Sequence, residues 1–75
     1  MNQPLRVEDG DARLRELRAY ATEVFGESEA ASRWLDTSLW ELGNLSPNEA
    51  VRRLGEAGLV QARDVLLRIE YGVYS

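Results

Sequence analysis

The sequence predicts an all-α protein, a compact bundle of about four helices that ends in a long C-terminal helix. Three observations predict it. Apolar residues recur at the three-and-four spacing of a buried helical face through most of the chain beyond Gly10. Helix start and stop signals divide those stretches. Acid-arginine pairs at helical spacing recur in each of the four segments so divided.

Met1 to Gly10 contain Pro4 and Gly10 and show no apolar periodicity, so residues 1-10 read as a flexible leader and 11-75 as the helical domain. From Asp11 to Phe25, Leu14, Leu17, Ala21, Val24 and Phe25 share one face, and Gly26 stands where a helix stop belongs. Ser28 offers an N-cap for a short second helix over Glu29 to Asp36, with Ala30, Ala31, Trp34 and Leu35 on its apolar side. Thr37 to Leu45 reads as a connection, but Leu39, Trp40, Leu42 and Leu45 are too much apolar surface for a free loop, so part of it is expected against the core.

Ser46-Pro47-Asn48-Glu49 is the sharpest local signal. It combines a capping hydroxyl, a proline at the first helical position, and a glutamate three residues after the cap. The third helix that starts there carries Ala50, Val51 and Leu54, and Gly55 and Gly58 interrupt it. A fourth helix then runs from Glu56 or Ala57 to Tyr71, with Leu59, Ala62, Leu66 and Ile69 on one stripe and Val60 and Leu67 beside it. The pairs Asp11-Arg15, Glu29-Arg33, Glu49-Arg53 and Asp64-Arg68 place each acid four residues before an arginine, the favourable order on a helix surface. At about 0.2 to 0.5 kcal/mol each they add little stability, but they mark those faces as solvated.

Composition narrows the function. At 75 residues the chain has room for one domain, and a domain of that size buries only about 60 to 65 percent of its unfolded surface. There is no cysteine or histidine to supply a disulfide or a usual structural zinc site, so extra stability would come from a partner chain. The same absence removes the commonest bases, nucleophiles and metal ligands, and the six glycines form no phosphate-cradling loop. The sequence therefore predicts a binding module with no catalysis, no cofactor and no metal. A formal net charge of −4 argues against nucleic-acid binding, which draws on surplus cations. No signal-peptide pattern or run of eighteen apolar residues is present, which leaves a soluble cytoplasmic protein as the expectation.

Trp34, on a helical stripe, and Phe25 are expected in the core, whereas Trp40 stands open between core and surface anchor. In the ending Tyr71-Gly72-Val73-Tyr74-Ser75, Gly72 would close the last helix in a left-handed conformation and Val73 would fold back on Leu67 or the stem of Arg68. Two tyrosines within four residues remain unexplained by that reading, and they offer rigid contact area with a hydrogen-bonding tip.

Five pieces occur in one order: Ala21-x-x-Val24-Phe25-Gly26, Ala30-Ala31-x-x-Trp34-Leu35-x-Thr37, Leu42-Gly43-x-x-Ser46-Pro47, Gly58, and Leu67-Arg68-Ile69-Glu70-Tyr71-Gly72-Val73. Together they resemble the Xre/MbcA/ParS-like antitoxin toxin-binding domain, from about Ala19 to the end. Ser38-Leu39 stand where that family often has Pro-Asn, and Asn44 where it often has a second glycine. The resemblance implies a bacterial type II antitoxin whose partner is a RES-domain toxin acting on NAD. It further implies that the last helix and tail cover the toxin's active-site cleft, which makes Arg68, Ile69, Glu70, Tyr71, Gly72, Val73, Tyr74 and Ser75 the toxin-binding candidates. An immunity protein against a related delivered toxin is the alternative, followed by a transcriptional regulator module. Many such antitoxins carry a helix-turn-helix domain ahead of this one. Only about twenty residues precede the matched stretch here, so direct DNA binding is not expected, while a homo-oligomer or a toxin-antitoxin hetero-oligomer is.

Overall fold

The computed structural model describes residues 5–72, with side chains from residue 12 onward, and these form four α-helices. They are α1 (Leu5–Phe25), α2 (Ser28–Leu35), α3 (Pro47–Leu54) and α4 (Glu56–Glu70), with a single 3₁₀ turn at Trp40–Leu42 in the connection between α2 and α3. Helix α1 packs against α2 and α4, and α4 packs against α3. The core at their junction has Leu17, Leu35, Leu59, Leu66 and Pro47 as its largest fully buried side chains. Burying a leucine contributes about 1.5 to 3 kcal/mol, so these few residues outweigh the surface ion pairs by a wide margin.

The first helix begins at Leu5, six residues ahead of the expected start, so the stretch expected as a leader is already helical from Leu5 to Gly10. Gly10 is tolerated because a glycine inside a helix costs about 1 kcal/mol relative to alanine while leaving the hydrogen-bond ladder intact. The expected face is correct in its centre. Leu17 and Ala21 are buried, and Leu14, Val24 and Phe25 pack on the core from its edge. Gly26 ends α1 with φ +84° and a bond from its N–H to the Thr22 carbonyl.

Ser28 is not the cap of α2. Glu27 holds the extended cap position and Ser28 is the first helical residue, because Gly26 and Glu27 alone turn the chain and the helix starts one residue early. At the other end the Thr37 hydroxyl donates to the Arg33 carbonyl at 2.6 Å, and Asp36 accepts from the Asn48 amide at 3.1 Å, which ties the end of α2 to the start of α3. Trp34 is half-buried on the core with its ring 5.9 Å from that of Phe25.

The connection is a tight, internally bonded loop. The Leu39 N–H donates to the Leu45 carbonyl at 3.1 Å and the Asn44 N–H to the Leu39 carbonyl at 2.9 Å, which closes it into a small ring. Leu42 is buried, Leu39 and Leu45 lean on the core, and Trp40 points out with 79% of its surface exposed. The loop reverses through consecutive left-handed residues, Gly43 and Asn44, both at φ 68°. Asparagine is one of the few side chains that take this conformation at modest cost.

At Ser46 the hydroxyl accepts from the Glu49 N–H at 3.1 Å with Pro47 inside the first turn, as the sequence predicts. Gly55 separates α3 from α4. Gly58 does not interrupt anything: it lies within α4, buried, where that helix crosses α3. A Cβ on Gly58 would sit 2.0 Å from the Ala50 carbonyl oxygen and 2.9 Å from the Val51 nitrogen. The two backbones meet because there is no side chain between them. Val65, which belongs to neither expected stripe, completes the buried face of α4, whereas Val60 and Leu67 lie on its solvent side, 54% and 43% exposed.

These contacts set the cost of two substitutions. Gly58→Ala gains about 1 kcal/mol of helix propensity but must separate two backbones. The expected net result is a loss of roughly 3 kcal/mol or more, seen as a fall of about 10 °C or more in the melting temperature by circular dichroism. At the loop, Asn44→Gly should hold or raise stability by up to about 1 kcal/mol, and Asn44→Val should lower it by about 1 to 2 kcal/mol in the same assay.

Candidate functional site

The end of α4 is held by α1. The Tyr20 hydroxyl donates to the Glu70 carboxylate at 2.9 Å, across fifty positions of sequence. Burial of the phenol raises its pKa above the ordinary value of 10.0, and the hydrogen bond and the negative charge of Glu70 add to the effect against a small opposing influence of Arg63. Two turns back along α4, Arg63 donates to Glu16 at 3.1 Å, and near its start Arg13 binds Glu56 at the same distance. Three polar contacts thus fasten α4 to α1 along its length. Each reaches solvent, so each contributes at most about 1 kcal/mol, but together they fix the rotation of α4 and the direction in which its end points.

The eight candidates separate by role. Arg68 is half-buried and its guanidinium grips Asp64 one turn earlier at 2.9 Å. Ile69 packs on the core. Glu70 is committed to Tyr20. Tyr71 forms the C-cap, its N–H bonded to the Leu67 carbonyl at 3.0 Å, and its side chain is 73% exposed. Gly72 has φ +71° and donates to the Ile69 carbonyl at 3.2 Å, which is the left-handed closure the sequence predicts. Val73, Tyr74 and Ser75 lie outside the described residues. Of the described candidates, Arg68, Ile69 and Glu70 therefore make contacts within the chain, and Tyr71 and Gly72 present the exit.

The acid-arginine pairs meet a similar division. Glu49 and Arg53 are joined at 3.4 Å, and Asp64 and Arg68 at 2.9 Å. Glu29 and Arg33 form no such pair among the described side chains, and the side chain of Asp11 is not among them. No group of three acidic, cysteine or histidine side chains that could hold a metal occurs among the described residues. No helix among them is long and apolar enough to cross a membrane.

Residues 21–72 match the family described as the antitoxin Xre/MbcA/ParS C-terminal toxin-binding domain. The chain belongs to that family. It is also 33% identical over 73 residues to a Pseudomonas putida KT2440 protein named Antitoxin Xre, covering 95% of this chain and 45% of that relative, so it spans about half the relative's length. No solved structure matches it. The match opens at Ala21, in the core of α1, and closes at Gly72, so the packed end of α1, the three later helices and the closing turn of this antitoxin-family domain lie inside it.

The contact between Tyr20 and Glu70 lies outside what helical periodicity can reveal, because nothing local marks two residues on different helices as partners. Its removal is a direct test. Tyr20→Phe should cost roughly 0.5 kcal/mol near neutral pH, the low end for a hydrogen bond because both groups reach water. Since the folded-state pKa is raised, the native advantage is complete below the unfolded value of 10.0 and is lost as pH rises through the folded value. The difference in melting temperature between the native protein and Tyr20→Phe should accordingly be constant below that pH and shrink above it.

Proposed function

We propose that this chain is the toxin-neutralising part of a type II toxin-antitoxin pair, acting in the cytoplasm on a RES-type toxin that consumes NAD. Inhibition comes from occupancy. The end of α4 and the residues after it lie over the toxin's NAD-binding cleft and exclude the dinucleotide, and the antitoxin itself performs no chemistry. Membership of an antitoxin toxin-binding family supports the partner class. The observation that carries the reading is the helix end: Tyr71 stands 73% exposed at the C-cap and Gly72 follows it in a left-handed conformation.

The physical argument is one of preorganisation. An aromatic ring at the end of a braced helix loses little freedom on binding, so more of its contact energy appears as affinity. A ring is also a fitting occupant for a cleft that normally accepts the aromatic bases of a dinucleotide. Arg68, Ile69 and Glu70 serve that ring by holding the last turn in place through Asp64, the core and Tyr20.

The test compares the full chain with a version ending at Glu70, each co-expressed with the toxin, with cellular NAD and growth as readouts. The truncated chain keeps every buried core residue and should retain its helical circular-dichroism signal and cooperative melt. It should lose protection, with binding to the purified toxin weakened by about tenfold or more, as befits loss of an aromatic anchor. Equal protection by a folded truncated chain would show that the ending is only a helix stop and would overturn the assignment.

A further inference from the structure

Helix α4 carries a second apolar line. Val60, Arg63, Asp64 and Leu67 border a shallow groove on its outer side, away from the buried Leu59, Ala62, Val65 and Leu66. A helix that only covers a core carries polar residues on that side. At about 100° per residue, Val60, Leu67 and Tyr71 fall within roughly 20° of one line along the helix. The bond from the Tyr71 N–H to the Leu67 carbonyl keeps the ring in that register. All three side chains are exposed.

The charges beside the line are matched within the chain. Glu56 binds Arg13 and Arg63 binds Glu16 on the flank that faces α1, and Asp64 binds Arg68 on the other. Glu70 is held by Tyr20. The outer face therefore offers an apolar centre between self-paired rims, and its complement is an apolar surface and not a charged one. Size ties this face to the same partner as the ending. A stable interface takes about 20 to 30 residues from each side. The toxin-binding candidates from Arg68 to Ser75 are eight, and Arg68, Ile69 and Glu70 among them make contacts within the chain. A partner that closes on Tyr71 meets Leu67 one turn away on the same face and Val60 two turns beyond that.

We infer, on the reading of Tyr71 as a toxin contact, that Val60 and Leu67 are toxin contacts as well, and that the outer face of α4 lies in an apolar groove of the toxin from Val60 to Tyr71, a length of about 16 Å. This is helix-in-groove recognition, in which side chains three, four and seven positions apart anchor one face. Leu67 follows Val60 by seven positions and Tyr71 follows Leu67 by four. The groove grips the helix and the ending reaches past it, so affinity and occlusion of the cleft reside in different parts of one surface.

Calorimetry of the full chain with the purified toxin of its pair tests this. Val60→Glu and Leu67→Glu should each weaken binding by about tenfold or more, because each sets a charge against an apolar wall. Val60→Ile keeps an apolar contact, and Gln61→Glu adds the same charge at an exposed position about 100° round the helix. Both should bind within about twofold of the native chain. Every substituted side chain is exposed, so the helical signal and the melt should stay native. Native affinity in both Val60→Glu and Leu67→Glu, alongside weakened binding by the version ending at Glu70, would overturn the groove and leave the plug in place. Weakened binding by those two variants, alongside native affinity in the truncated version, would uphold the groove and remove the plug. Native affinity in all three would overturn both. A native chain that dimerises in sedimentation velocity, with Val60→Glu abolishing the dimer and leaving the toxin affinity unchanged, would give the line to a second copy and equally overturn the groove.

Discussion

The rest of the packing in this domain depends on the approach of α3 to α4 at Gly58. Backbone touches backbone there, with Ala50 on one side and the bare glycine on the other. Such proximity brings Ala50 and Val51 into the core alongside Leu59 and Ala62. With only two helical turns in α3, a wider crossing would leave no second row of side chains to fill the gap, and a domain this small has little stability in reserve. The position of α4 then decides what α1 can reach: Arg13, Glu16 and Tyr20 all find their partners on it.

Legibility in the sequence tracks the range of the interaction. The cap at Ser46 is readable because donor, acceptor and proline fall within four residues and their geometry is local. The left-handed end at Gly72 is readable for the same reason. Gly58 is visible as a glycine but not as a contact, since a glycine that ends a helix and one that admits a neighbour look alike until the neighbour is placed. The start of α1 is hidden because Gly10 resembles a breaker, although its cost is small beside a ladder of hydrogen bonds on both sides.

The candidate site is legible as a segment and not as a set of roles. Periodicity puts Ile69 on the inner stripe, but it cannot show that Glu70 is held by Tyr20 or that Arg68 turns to Asp64. Val60 and Leu67 show the opposite limit. Beside Leu59 and Leu66 they read as the flank of one broad stripe, and only packing shows that the helix presents two separate apolar faces. Apolar spacing identifies a helix more surely than it identifies which side the protein itself consumes.

The loop closed by Leu39 and Leu45 places the two tryptophans in contrasting surroundings. Trp34 lies half-buried against Phe25, and Trp40 stands in water on a ring of backbone hydrogen bonds. An indole's emission shifts to the blue as water leaves it, so the domain carries two intrinsic optical probes of different sensitivity. Trp34 reports on whether α1 and α2 remain packed. Trp40 reports on what arrives at the loop between α2 and α3, a face remote in sequence from the exit of α4, so folding and encounter can be followed separately in the unlabelled protein.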